Sequence, residues 1–210
     1  MNTMKNLRTA TLVLFTLLST ISTACSQAPG NQSEVEWLIE VLQIEEGAIV
    51  ADIGAGDGEQ TLAIAETIGP EGKIYSTELG SSSLRELRDA VEDANLSNVE
   101  VIEGAPRRTN LPTECCNGLY MRRVYHHIDD PESFNESLYK SLKPGGRLAI
   151  IDFEPRSSEA EPEERDSGSQ HGVTAKTVVK ELTTAGFTLI NDPKKSGRNF
   201  YVVFQKPVAD

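Results

Sequence analysis

Three glycines at alternate positions, Gly54, Gly56 and Gly58, close the apolar run Ala48–Ile53 and stand among the acids Asp52, Asp57 and Glu59. A glycine-rich turn between a strand and a helix lets a ligand approach the backbone closely. A dinucleotide fingerprint would carry its third glycine at position 59, where this chain has Glu59. Carboxylates at 52 and 57 would repel a pyrophosphate, with no lysine or arginine beside them to offset the charge. The lysine and hydroxyl residue that end a P-loop are also missing. An adenosine portion joined to a cationic end suits this turn better. Glu78, 24 residues beyond Gly54 at the end of the next apolar run, can accept both hydroxyl hydrogens of a ribose.

A second group of reactive side chains lies in "RVYHHIDDP". His126 or His127 could accept a proton from a hydroxyl, thiol or activated carbon, and Tyr125 could orient that acceptor. A local hydrogen-bonding loop uses the same residues equally well. No metal is expected, because His126, His127 and Asp129 are packed too tightly in sequence to define a three-ligand shell. Asp152 and Glu154 end a later apolar run and could face an acceptor. His171 follows a polar stretch and could return over the pocket, though it reads first as a surface histidine. Arg107, Arg108, Arg122 and Arg123 could orient an anionic acceptor or simply solubilise their loops.

Elements that could position these groups follow in regular alternation. "EVEWLIEVLQI" reads as a helix burying Val35, Leu38, Ile39 and Leu42. After the strand at 48–53 comes "EQTLAIAETIG", a helix burying Leu62, Ile64, Ala65 and Ile68 and ending at Gly69. "KIYSTE" is a strand and "SSSLRELRDAVEDAN" a helix capped by Ser82 or Ser83, with Leu84 and Leu87 inward. "NVEVIEG", "NGLYM" and "RLAIID" are further strands, the last continuously apolar as in a sheet covered on both faces. "EPRSSEAEPEERDSGSQHG" is too polar for a core element and reads as a solvated excursion or mobile cover. A final helix, "TAKTVVKELTTAG", precedes "FTLIND" and "FYVVFQK", two strands that could pair as a hairpin around "PKKSGRN". An α/β sheet with helices on both faces accounts for this order.

The N-terminus follows different rules. Lys5 and Arg8 precede the apolar "TLVLFTLLSTIST", which ends at small residues and Cys25. That is the order of a secretory signal, and its apolar stretch falls short of the roughly 20 residues of a membrane span. "ISTACSQ" also resembles a bacterial lipoprotein signal, in which Cys25 would be lipidated and hold the protein at a membrane. Residues 1–25 are read as the signal, 26–33 as a linker, 34–206 as one domain and 207–210 as a tail. The expected location is outside the cytoplasm, periplasmic or lipid-anchored. With 32 acidic and 20 basic residues the formal charge is −12, which argues against a nucleic-acid partner held by phosphate neutralisation. Cys115 and Cys116 read as structural thiols, since a bridge between sequential residues strains disulfide geometry.

In order along the chain, "DIGAGDGEQTLAIAE", Glu78, "NLPTE", "RVYHHIDDPESF" and "LKPGGRLAIIDFEP" resemble the motifs of the class I S-adenosylmethionine-dependent methyltransferases, small-molecule bacterial type. The resemblance runs from about Glu34 to Lys206. It implies a Rossmann-like seven-stranded sheet with strand order 3-2-1-4-5-7-6 and S-adenosylmethionine as cofactor. By the same resemblance, Asp52, Gly54 and Gly56 would line the methionine portion, Gly58 would let the following helix pack close, and Glu78 would bind the ribose. Gly104 and Ala105 fall in the adenine segment, where the family often has a carboxylate that Ala105 lacks. Asn117 likewise stands where an aspartate is usual. The implied activity is methyl transfer to a small-molecule acceptor. The alternative is an extracytoplasmic binding protein that keeps the fold and has lost efficient catalysis.

Overall fold

The computed structural model describes residues 33–208. Residues 1–25, read above as a signal, with Cys25, residues 26–32, read as a linker, and residues 209 and 210 lie outside the described residues. Helix α1 (Glu34–Leu42) leads into β1 (Ile49–Ile53), α2 (Glu59–Ile68), β2 (Lys73–Glu78), α3 (Ser81–Asp93) and β3 (Val99–Glu103). The second half continues with β4 (Cys116–Arg122), α4 (Pro131–Ser141), β5 (Leu142–Phe153), α5 (Ala175–Thr184), β6 (Thr188–Leu189), β7 (Lys194–Ser196) and β8 (Asn199–Gln205). The sheet order is β3-β2-β1-β4-β5-β8-β6, with β1 to β5 parallel and β8 antiparallel to β5. This is the seven-strand order implied by the sequence motifs, with β8 as the seventh strand. The short β7 is an addition. β6 and β8 pair antiparallel, as expected of the two terminal strands, and β7 adds a tighter hairpin with β8 across Gly197, whose φ of +61° permits the return.

Both faces of the sheet are covered, which explains the unbroken apolar run of β5. On one face Ile53, Met121, Leu148 and Ile150 pack against Phe134, Leu138, Val178 and Leu182 of α4 and α5. On the other, Val50, Tyr120, Ala149 and Ile151 pack against Trp37 and Leu38 of α1 and Ile64 and Ile68 of α2. Two helix readings need correction. In α1 the buried face is Trp37, Leu38, Val41 and Leu42, because the large indole takes the core position and packs edge-on to Tyr201 at 5.2 Å. In α3 the N-cap is Gly80, with a φ of +82°, and neither Ser82 nor Ser83 caps the helix. Ser33 and Glu36 form a reciprocal capping box that starts α1.

Two further expectations are overturned. Cys115 and Cys116 are joined as a vicinal disulfide. The polar excursion after β5 is pinned rather than loose. Buried Arg165 pairs with Glu181 of α5 and donates to the Ala160 carbonyl, while Glu159 accepts from Thr174 and Thr177 at the start of that helix. These charge-assisted bonds hold a sequence with almost no apolar residues against the domain. Connections from β1 leave toward β2 on one side while β4 joins on the other. Such a reversal opens a crevice at the carboxyl ends of the strands.

Candidate active site

A cleft of about 640 Å³ occupies that crevice, within the roughly 300–1,000 Å³ usual for small-molecule sites. Ile53, Gly54 and Gly56 line it from the β1 turn, Thr77, Glu78 and Leu79 from the end of β2, and Gly104 and Ala105 from the end of β3. Arg122, Arg123, Val124, His127, Ile128 and Asp129 line it from the loop after β4.

The glycine turn is set by local bonds. Gly54 and Ala55 both donate backbone N–H groups to the Thr77 carbonyl at 2.9 Å, and Gly56 donates to Glu78 Oε2 at 2.7 Å. The amides of Gly54, Ala55 and Gly56 are therefore committed to protein acceptors and are not offered to a phosphate. Gly54, at φ +74°, also sits so close to Val124 that an added Cβ would come within 2.5 Å of its Cγ2. That contact brings the histidine-bearing loop up to the glycine turn. Gly56, at φ +58°, has open space where a Cβ would project. Gly58 lies off the cleft wall; a Cβ there would come within 2.9 Å of Leu87 on α3, so its role is helix packing.

The residues fit an adenosyl ligand. Glu78 presents a carboxylate at the cleft wall whose oxygens each accept one backbone N–H, from Gly56 and from Leu79 at 2.7 Å, leaving further lone pairs for two hydroxyls. Gly56 leaves its side-chain volume free for the ligand, and Ile53, Leu79 and Phe134 supply apolar surface. Asp52 faces a different space. Its carboxylate, 3% exposed, accepts from Thr61 Oγ at 2.7 Å and reaches a small adjoining pocket of about 120 Å³ shared with Gly54, Gly56 and Arg122. Burial raises the Asp52 pKa to about 6, partly offset by the Thr61 hydrogen bond.

Ala105 lines the cleft without a carboxylate, and Glu103 is exposed and lies outside it. Asn117 is at the opposite, amino end of the sheet. Its Oδ1 accepts from the Ile49 N–H at 3.0 Å and from Lys143, so its replacement of an aspartate does not touch the cleft.

The histidine group divides. His127 lines the cleft, and partial burial followed by the neighbouring His126 holds its pKa below the ordinary histidine value. His126 is buried at 2% exposure and is absent from the cleft wall. Its Nδ1 lies 2.8 Å from Asp152 Oδ1, its backbone N–H donates to Asp152 Oδ2, and its Nε2 lies 3.0 Å from His171 Nε2. Asp152 is fully buried and braces His126 rather than facing an acceptor. The expectation for Tyr125 is also corrected: its hydroxyl sits in the core, donating to Glu181 and accepting from Asn135. A buried phenol with both partners satisfied is structural. Glu154 pairs with Lys195, and Arg107 with Asp130, while Arg108 reaches the cleft wall.

His171 returns from the excursion to His126, behind the cleft wall rather than on it. Gly172 is the sequence signal for that return. At φ +127°, with a would-be Cβ 2.6 Å from the Phe153 carbonyl, Gly172 turns the excursion back against the end of β5. His171 thereby lands on Phe153 and His126, with ring centroids 5.0 and 4.8 Å apart.

A family model described as a methyltransferase domain matches residues 51–150. A solved S-adenosylmethionine-dependent methyltransferase from Aquifex aeolicus superposes with a TM-score of 0.69 and 25% identity, over 82% of this chain and 89% of that one. The fold is that of the class I methyltransferases. The demethylmenaquinone methyltransferase of Listeria welshimeri is 29% identical over 121 residues, 56% of this chain and 51% of the relative. This chain thus spans about half the length of that relative. The [4+2]-cyclase SpnF shares the methyltransferase fold, with a TM-score of 0.71 at 15% identity over 83% of this chain and 80% of that one. Fold alone therefore leaves the reaction open, and the residues of the cleft must decide it.

Proposed function

We propose that this protein transfers a methyl group from S-adenosylmethionine to a small-molecule acceptor. The observation that carries this reading is the Glu78 carboxylate at the wall of a cleft whose glycine turn has already committed its amides. Such a site favours a ribose and a cationic centre over a phosphate. The cofactor supplies an electrophilic methyl group on a sulfonium, so its activation does not depend on the protein. The chain's task is to hold the acceptor's nucleophilic atom in line with that methyl and keep water out. Ile128, Phe134 and Val124 provide apolar walls, and His127 is the histidine that the acceptor meets there. Arg108 and Arg123 favour an acceptor bearing an anionic group, while Arg122 is already paired with Glu34.

A labelled-methyl assay over hydroxyl, thiol and carbon-acid acceptors tests the activity, and incorporation dependent on both Glu78 and the acceptor supports it. Ala105 favours the second reading, a binding protein with weak catalysis. Saturable binding of the cofactor without incorporation into any acceptor would select that reading. The N-terminal pattern supports export and anchoring through Cys25. Fractionation with intact-mass analysis checks both: a cytoplasmic chain of full length would overturn export, and an exported Cys25→Ser variant that stays membrane-bound would overturn lipidation.

A further inference from the structure

The chain contains three histidines, and all three meet at one point. One ligand nitrogen from each of His126, His127 and His171 falls within 4.8 Å of the others. Two come from the turn after β4 and the third arrives from 44 residues farther along, after the pinned excursion. We propose that these three imidazoles form a binding site for a divalent transition-metal cation of the zinc class.

The geometry supports a site rather than a chance stack. In a tetrahedral shell with metal–nitrogen bonds of about 2.0–2.1 Å, ligand nitrogens lie about 3.3 Å apart. His126 Nε2 and His171 Nε2 are 3.0 Å apart, so this pair needs little adjustment. A pair at the outer limit of the cluster closes by about 1.5 Å, within reach of a ring rotation at exposed His127 or partly exposed His171. His126 is held more firmly. Asp152 accepts from its backbone N–H, and the Asp152 carboxylate at Nδ1 favours the tautomer whose Nε2 lone pair faces the other rings. This is the carboxylate–histidine arrangement that orients metal ligands. Phe153 packs against both His126 and His171, with centroids 4.7 and 5.0 Å away, and limits water on that side.

Donor chemistry narrows the ion. Three neutral imidazoles with the carboxylate held in the outer shell suit zinc, cobalt, nickel or copper and disfavour magnesium and calcium, which take oxygen ligands. Three protein ligands leave a fourth position. Since His127 also lines the cleft, that position suits water or an acceptor hydroxyl, thiol or carboxylate. A bound cation would hold the acceptor as its anion and release the acceptor's proton to water, making His127 a ligand rather than a base.

The test uses the untagged full chain. Titration with Co2+ should give one equivalent with the visible ligand-field bands of a tetrahedral nitrogen site and no thiolate charge-transfer band, and Zn2+ should displace it. His171→Ala and His127→Ala, each at an exposed or partly exposed ring and checked for an unchanged circular-dichroism spectrum, should weaken Zn2+ binding at least about 100-fold. Absence of saturable binding in the wild type, wild-type affinity retained in either variant, or a thiolate band assigning the ion to the cysteines would overturn the proposal. Titration with adenosyl ligands in the absence of metal is independent of this result. Failure of the metal site and failure of the methyltransferase reading are therefore distinguishable.

Discussion

The two edges of the cleft are built by different means. On the cofactor edge, the β1 turn, Glu78 and the end of β3 lie on adjacent parallel strands, and each group occupies a strand end that its own motif announces. On the histidine edge, His127 lines the wall with His126, Asp152 and His171 behind it, and these come from three segments that meet only because α4, β5 and the pinned excursion fold back on one another. Gly54 joins the edges, since its missing side chain admits Val124. The lesson is that a site made by local turns can be read along the chain, whereas one made by nonlocal packing emerges from topology.

Gly172→Ala should break the histidine edge most severely. An alanine at φ +127° whose Cβ meets backbone atoms should cost about 3–4 kcal/mol in denaturant unfolding, while affinity for S-adenosylhomocysteine stays within about 2-fold. Equal loss at both edges would show that they are one cooperative unit.

Asp52 sharpens the other side through pH. Between pH 3.8 and about 6 the folded protein keeps a proton that the unfolded chain has released, so stability from this group falls as pH rises through that window. Full ionisation costs the folded state about 3 kcal/mol. Asp52→Asn should therefore match the wild type near pH 3.5 and exceed it by up to about 3 kcal/mol near pH 8. An offset that is the same at both pH values would contradict the buried-carboxylate account.

Glu78→Ala should weaken adenosyl-ligand binding by about 10- to 100-fold, the worth of losing hydrogen bonds to a charged acceptor, as read by calorimetry. Asn117→Asp should change that affinity by less than about 2-fold, because the residue lies at the far end of β4. A large gain in the second variant would mean that the amino edge of the sheet reaches the ligand.

Much of this was legible in the sequence, for physical reasons. The alternation of strands and helices followed from periodicity and the glycine turn from residues only a few positions apart, whereas the strand order came only from the family resemblance. Asn117 was read only as standing where an aspartate is usual; its place at the start of β4 puts it at the amino end of the sheet, away from the cleft. Tyr125 was misread because its partners, Asn135 and Glu181, lie on two helices that approach only after the sheet forms. Polarity made the 154–172 segment look loose; what it hid was one buried arginine, Arg165, and one glutamate cap, Glu159, that fix it in place. The fate of residues 1–25 lies outside the described residues, and the export reading rests on sequence alone.

The most direct measurement is calorimetric titration of the full chain and of its Gly56→Val variant with S-adenosylmethionine, S-adenosylhomocysteine and NAD. The account predicts saturable one-to-one binding of both adenosyl ligands to the wild type, no binding of NAD, and affinity lowered roughly 100-fold where a branched side chain fills the space beside Glu78. Absence of adenosyl binding to the wild type, or equal affinity in the variant, would contradict it.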